Sequence, residues 1–409
     1  MLRDRFLAEV TEARRACDYP TAAELIRVYQ AVHPESPDPH VESGHIAFGR
    51  ERHDLAADYF DQALALDPSD ERALAWKVAL LNVNDRPAAA IEFAESLLVK
   101  FPLSAAIRVA LGRTKQSQGR KEEALAEYEE ALRVAPDHLN AVEWRIEVIG
   151  GMRGYDAALA EMWPAVKRFP RAPELFVAAY VAANGRQEKE RAQGALDRAL
   201  KIHPSCVPPL RMKIDWLISA GRFNDAVKQA DDGLIFAPAA AALYIARGKA
   251  LYRQGRFTAA IECLRSASEL EPYQVLAPTW LRVVMKQLDR HDEAEAVIAE
   301  ALHRMPNNVS LLTTAAKDKT RKGEYVEALA LTGKAVHIAP TNSVAVCNHI
   351  SALVDQHHYA KAEKFALGVL ERSPEQAMVA AGLALVYKTL NRDEKALAWY
   401  CKASELRPA

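Results

Sequence analysis

Apolar residues along this chain recur at helical spacing, in runs of about a dozen residues, and every second run is closed by a proline. Residues 105–134 show the unit clearly. Apolar positions at helical spacing cover 105–117, Gly119 breaks the run, and a second run covers 121–134. Lys121, Glu122 and Glu123 open that second run and Pro136 follows its end, as helix starts and stops require. The pattern predicts two helices joined by a tight turn. Pro20 and Pro87 sit where second helices begin, a position at which a missing N–H costs nothing. Sustained two-residue alternation is absent, so no strand is predicted.

The unit repeats. The closing prolines are Pro34, Pro68, Pro102, Pro136, Pro170, Pro204, Pro238, Pro272, Pro306, Pro340, Pro374 and Pro408, spaced 34 residues apart without a slip. Twelve residues before each stands an alanine: Ala22, Ala56, Ala90, Ala124, Ala158, Ala192, Ala226, Ala260, Ala294, Ala328, Ala362 and Ala396. The phase divides the chain into 3–36, 37–70, 71–104, 105–138, 139–172, 173–206, 207–240, 241–274, 275–308, 309–342, 343–376 and 377–409. The chain therefore reads as one array over 1–409, and length alone misleads about domain count.

Numbered within each unit, position 8 is small at Gly44, Gly112, Gly248, Ala316 and Ala384, position 20 is the alanine, and position 24 is aromatic at Phe60, Tyr128 and Tyr400. These residues and the 34-residue period resemble the tetratricopeptide repeat family over the whole chain. The resemblance implies an all-α, right-handed α-solenoid superhelix of helix–turn–helix repeats. First helices would line its concave face and second helices its convex face. Tyr180, Ile214 and Arg282 depart from the pattern, being large at position 8.

Composition narrows the function. Lys plus Arg is 53 and Asp plus Glu is 54, a net charge of −1, which argues against a protein built to hold nucleic acid. Pentatricopeptide arrays, which bind RNA, have a period one residue longer. Five cysteines without CxxC spacing indicate neither a disulfide framework nor a zinc finger. The start MLRDRFLAEVTEARRA has no signal-type apolar core and no stretch is long enough to span a bilayer, so a cytoplasmic protein without membrane insertion is expected.

No nucleotide-loop, hydrolase-elbow or zinc-protease motif is present, so neither an enzyme nor a cofactor is expected. The run Gly150, Gly151, Met152, Arg153, Gly154 lies between helices and follows no strand. Cys347, His349, His357 and His358 cluster in sequence but do not match a tetrahedral metal motif. Cys17, Cys206, Cys263 and Cys401 read as small apolar residues.

Binding is the remaining role. The resemblance implies that positions 2, 5, 6, 9, 12 and 13 face the concave side. Aromatic anchors there are Trp76, Trp144 and Trp280 at position 6 and Phe48 and Tyr252 at position 12, with packing between helices as the alternative. Repeats 8–12 add Lys249, Arg253, Lys286, Lys317, Arg321 and Lys388 with few opposing acids besides Asp355, whereas Arg14, Arg15, His45 and Arg113 mix with Glu143, Glu147 and Asp215 in the first half. A basic groove attracts an acidic protein or peptide partner. The family's carboxylate clamp and asparagine ladder are not matched, since only Asn348 stands at position 6.

The expected role is a protein–protein interaction scaffold or adaptor. The alternatives are a substrate-recruiting region of a larger enzyme such as a glycosyltransferase, or a component of polysaccharide biosynthesis or export. The ends also differ. The first helix is polar, with Arg3, Asp4, Arg5, Glu9, Glu12, Arg14 and Arg15, as suits an N-terminal cap. The last helix carries Leu397, Trp399 and Tyr400 and no cap follows Ala409. A longer native chain, an intramolecular partner or a second copy in a homo-oligomer would cover it. Repeat 5, with its glycines and Pro164 inside a helix, is the expected weak point, read as a local kink with a hinge between repeats 1–5 and 6–12 as the alternative. The alanine register predicts that Ala226→Leu overpacks its helix pair and costs about 1–3 kcal/mol, read as a lowered melting temperature.

Overall fold

The computed structural model describes residues 2–84, 86–183, 185–374 and 376–406. Among them are twenty-four α-helices and no strand. The helices run in pairs, from α1 (Leu2–Arg15) and α2 (Tyr19–Val32) to α23 (Ala377–Thr389) and α24 (Asp393–Glu405). The expected pair at 105–117 and 121–134 is α7 (Ala105–Ser117) and α8 (Lys121–Val134). The all-α helical solenoid is therefore observed. Pro408 and Ala409 lie outside the described residues.

Local chemistry sets the helix ends. Asp70, Ser104, His138, Asn308 and Asn342 each accept a backbone N–H at the start of a first helix. The turn inside each pair has its own marker. Position 15 is left-handed at Cys17, Glu51, Gly119, Gly221, Gly255, Asp289, Gly323, His357 and Asn391, with φ between 53° and 80°. A left-handed residue ends a helix by turning the chain back on its last carbonyls. Glycine adopts it freely, whereas Cys17, Glu51, Asp289, His357 and Asn391 hold it at a cost in strain. Second helices end two residues before the closing proline, as at Val134 before Pro136 and Ile338 before Pro340.

The twelve alanines are the tightest positions in the chain. None is more than 4% exposed. Beside them, positions 8 and 24 exchange volume. A Cβ on Gly44 would stand 2.4 Å from the Phe60 ring, one on Gly112 2.5 Å from Tyr128, and one on Gly248 2.8 Å from Leu264. In three repeats a large position 8 meets a small position 24: Val78 with Ala94, Ile214 with Ala230, and Ile350 with Ala366 share the same buried clusters, whereas Ile146 with Met162 and Val10 with Ile26 are large at both. Ile214 is thus no packing defect. Its bulk fills the space an aromatic ring takes in other repeats.

Backbone contacts group the chain into two compact units, Met1–Gln274 and Val275–Ala409. In the first unit, apolar clusters follow the stack of repeats, for instance Leu74, Val78, Ala94 and Ile107 across repeats 3 and 4. In the second, Val346, Ile350, Val379, Leu383 and Tyr387 form the largest cluster.

Repeat 5 differs from expectation. Gly150 and Gly151 are not in the turn but inside α9 (Leu139–Arg153), and Gly154 at φ 88° makes the joint to α10 (Tyr155–Arg168). A Cβ on Gly150 would stand 2.1 Å from the Ala182 methyl carbon and 2.8 Å from that of Ala158. The glycine serves close helix approach. Pro164 lies inside a continuous α10. Repeat 6 departs more: α11 (Glu174–Val181) has 8 residues and α12 (Gly185–Ile202) has 18.

The exchange of volume is testable. Gly112→Ile alone is expected to cost about 1–3 kcal/mol by overpacking against Tyr128. Gly112→Ile with Tyr128→Ala copies the Ile214–Ala230 arrangement and should be more stable than the sum of the single variants by about 0.5–3 kcal/mol, measured by urea unfolding.

Candidate functional site

In the second unit, cations gather around one buried acid. Arg282, on α17 (Leu276–Gln287), donates Nε and Nη2 to the two carboxylate oxygens of Asp318 at 2.6 and 2.5 Å. Lys286, one turn further along α17, donates to Asp318 Oδ1, and Arg321 Nη1 reaches the same atom at 3.5 Å. Asp318 and Arg321 belong to α19 (Val309–Arg321). Asp318 is 5% exposed, and its carboxyl stays below its ordinary range because the hydrogen bonds and charges of Arg282 and Lys286 outweigh the burial that raises it. Lys286 is pulled down by burial and by the neighbouring guanidiniums of Arg282 and Arg321. Three cations on one carboxylate leave a surplus of positive charge, and exposed Lys317 adds to it.

This corrects the expectation of few opposing acids. Asp318 neutralises part of the stripe from within, because a helix carries it one position after Lys317 and turns it inward. Arg282, outside the expected set, is the cation that grips Asp318 with two bonds. Its signal was a cation at position 8, where small or apolar residues otherwise stand. Lys388 is exposed on α23 and Trp280 is half-buried on α17.

In the first unit the predicted residues have partners. Lys249 Nζ lies 3.5 Å from Asp215 Oδ1. Tyr252 packs on Phe257, and Arg253 stands over the Phe223 ring. Trp76 is half-buried among His45, Phe48 and Phe60, with ring centroids 4.3, 4.9 and 5.9 Å away. Trp144 lies under the Arg113 guanidinium at 3.4 Å. These rings mostly build contacts between neighbouring helices.

Buried acids and arginines are interleaved in this unit. Burial pushes the Glu143 carboxyl up to about 8, with repulsion from Glu174 and Glu147 added and attraction to Arg113 and Arg15 subtracted. Burial also raises Glu147 and Glu42. Arg14 donates to His45 Nε2 at 2.9 Å, and burial together with the Arg14 charge holds His45 neutral, far below its ordinary value. By contrast, Asp38 is well satisfied: Arg3 grips it at 2.6 and 2.9 Å, Arg72 adds a further bond, and its carboxyl is held low.

The polar first helix is not simply a solvated cap. Arg15 Nε donates to Glu174 Oε1 at 2.7 Å, and Glu12 pairs with His203. These contacts join repeat 1 to repeat 6, and no pattern confined to one repeat can announce them.

The cysteine–histidine cluster resolves into local contacts. His357 is the left-handed turn residue and bonds the Tyr359 hydroxyl at 2.7 Å; His349 bonds Thr332 at 3.0 Å and packs edge-on against Phe365. Among the described residues, no group of three or more His, Cys, Asp or Glu side chains is placed to hold a metal ion. No helix among them is long and apolar enough to cross a membrane. At the chain's end, Leu397 is 65% and Tyr400 41% exposed, and Trp399 is half-buried.

Two sequence profiles described as tetratricopeptide repeat match the chain, one over residues 7–71, 41–105 and 212–274 and the other over 105–138 and 380–409. The chain belongs to the tetratricopeptide repeat family. No curated protein matches its sequence. Among solved structures, yeast Tom70 is similar with a TM-score of 0.52 and 14% identity, over 100% of this chain and 93% of that one. A human IFIT1 dimer with m7Gppp-AAAA has a TM-score of 0.45 and 17% identity, over 91% and 90%. At these identities the Tom70 likeness shows the fold alone.

Glu143 gives a pH prediction. Its folded pKa stands above the ordinary value, so its proton stabilises the fold fully below about 4.5, and that contribution is lost as pH rises toward about 8. His45 acts oppositely, losing stability as pH falls through its unfolded value. Relative to Glu143→Gln, the parent protein should lose melting temperature between pH 5 and 8. Parallel curves for the two proteins contradict the assignment.

Proposed function

We propose that the protein is a non-catalytic interaction scaffold that captures an acidic segment of a partner protein on the first-helix face of its second unit. The carrying observation is the cluster of Arg282, Lys286 and Arg321 on the single carboxylate of Asp318, with Lys317 exposed beside it. A desolvated acid that already satisfies one guanidinium cannot neutralise three cations, so an incoming carboxylate gains charge-assisted hydrogen bonds there. Arg282 and Lys286 are held in place by Asp318, which lowers the ordering cost of binding. Lys388, on the same first-helix series, extends the basic character toward the last repeat. In the first unit, Lys249, Tyr252 and Arg253 belong to internal contacts, and we assign them a supporting rather than a capturing role. Phe48, Trp76 and Trp144 are likewise read as packing residues.

The family's repeat architecture supports such a role, because a stack of rigid first helices presents side chains in register along an extended chain. The balanced total charge favours a protein partner over nucleic acid.

The test uses the paired charge reversal Lys317→Glu with Arg321→Glu. Capture of a Glu/Asp-rich peptide should weaken by at least about tenfold, ~1.4 kcal/mol, while the helix content stays unchanged and Lys317→Glu alone leaves the melting temperature unchanged. Single-stranded RNA at moderate salt should not be retained. Unaltered peptide capture rejects the acidic-partner reading, and salt-resistant retention of RNA replaces it.

A further inference from the structure

In an open solenoid each repeat touches only its neighbours. The first unit breaks this rule at one seam. Arg15 reaches Glu174 across 159 residues, Glu12 reaches His203 across 191, and Arg50 Nε comes within 3.5 Å of Glu271 Oε2 across 221. Arg52 stands 4.2 Å from the centre of the Tyr273 ring. Cys17, in the turn between α1 and α2, packs against the buried cluster of Leu210, Leu217 and Leu243 in repeats 7 and 8. Repeats 1 and 2 therefore lie against repeats 6–8 of the same unit.

The seam is chemically unlike the rest of the stack. Repeats are joined by continuous apolar packing, but the seam is built mostly from ion pairs and a cation over a ring, with one small apolar knob at Cys17. Partly exposed ion pairs contribute little each and weaken with salt. The seam also leaves demand unmet. Glu174 Oε2 is buried without a hydrogen-bond partner, and Glu143 and Glu174 share the charge of Arg15.

We propose that the α1–α2 turn end of repeat 1 is a detachable latch: Arg15 and Cys17 close on repeats 6–8 while repeat 1 stays packed on repeat 2, and a partner segment gains Glu174 and the surface beside it by displacing these contacts. The latch itself defines the displacing chemistry. It is a helix end that presents an arginine to Glu174 and, two residues later, a small apolar side chain to the Leu210–Leu217–Leu243 surface. A segment that offers a guanidinium able to reach both Glu174 oxygens competes well, because Arg15 leaves Oε2 without a hydrogen bond. The reading is independent of the acidic-partner site in the second unit.

The native cysteines report on the seam. Cys206 is 3% exposed and lies beside Arg15, Glu174 and Cys17, and burial pushes its thiol up to about 12. Cys263 is equally buried, but in the core of repeat 8 at 4% exposure, and Cys401 is exposed. Maleimide labelling of the full chain at fixed pH is followed site by site by mass spectrometry. Arg15→Glu and Glu174→Arg, each alone, should speed labelling of Cys206 at least tenfold while Cys263 stays protected. The charge swap carrying both substitutions should restore protection. Adding a peptide of residues 2–18 with Cys17→Ser to the Arg15→Glu protein should also restore it, and the same peptide with Arg15→Glu should not. Unchanged Cys206 labelling in both single variants overturns the latch. Parallel exposure of Cys263 overturns it too, because the seam then opens only with the whole unit. Failure of the peptide to protect Cys206 removes the displacement step.

Discussion

The structure rests on how closely the two helices of a repeat approach each other. Twelve buried alanines, none more than 4% exposed, lie at that contact. In several repeats the space between positions 8 and 24 is then shared between the two side chains. It is filled by glycine against a ring at Gly44–Phe60 and Gly112–Tyr128, and by isoleucine against alanine at Ile214–Ala230 and Ile350–Ala366. Interiors packed to crystal density tolerate such exchanges when total volume is kept. The left-handed turn at position 15 and the closing proline then need only join units that are already alike. This is why the phase survives wide variation in the side chains.

Charge is distributed less evenly than the net value of −1 implies. Asp38 and Asp318 are both nearly buried acids, and removing the partners of either would strand a charge. They differ in balance. Asp38 faces Arg3 and Arg72 and ties three successive repeats together. Asp318 faces three cations and leaves positive charge over. In the first unit Glu42, Glu143 and Glu147 are raised by burial, which favours their neutral forms beside Arg14, Arg15 and Arg113. The second unit thus carries an excess of cations around one acid, whereas in the first unit Arg15 from the chain itself answers Glu174.

That second pairing changes how the array works. A strictly linear stack can bind anywhere along its groove. A unit whose first repeat lies against repeats 6–8 has a groove that is already engaged, and access depends on the strength of a polar seam. The seam sits beside apolar cores that hold each repeat to the next. Its ionic contacts respond to salt and charge, whereas the alanine-set helix pairs respond to neither.

By itself the sequence determined the helix pairs, the 34-residue phase, the caps, the turn glycines and the family. These depend on residues within about one repeat of each other, and their spacing is visible in the chain. It also exposed the basic positions of the later repeats and the odd arginine at position 8. Tertiary structure alone decided the rest. It showed that Val78, Ile214 and Ile350 at position 8 are matched by alanine at position 24, that Gly150 serves a helix contact rather than a turn, and that repeat 6 is the irregular one. It placed Asp318 among the cations and Arg15 against Glu174. The reason is physical: periodicity records contacts between neighbours, whereas a pairing across 159 residues arises when a stack curves back on itself, and no local pattern encodes it.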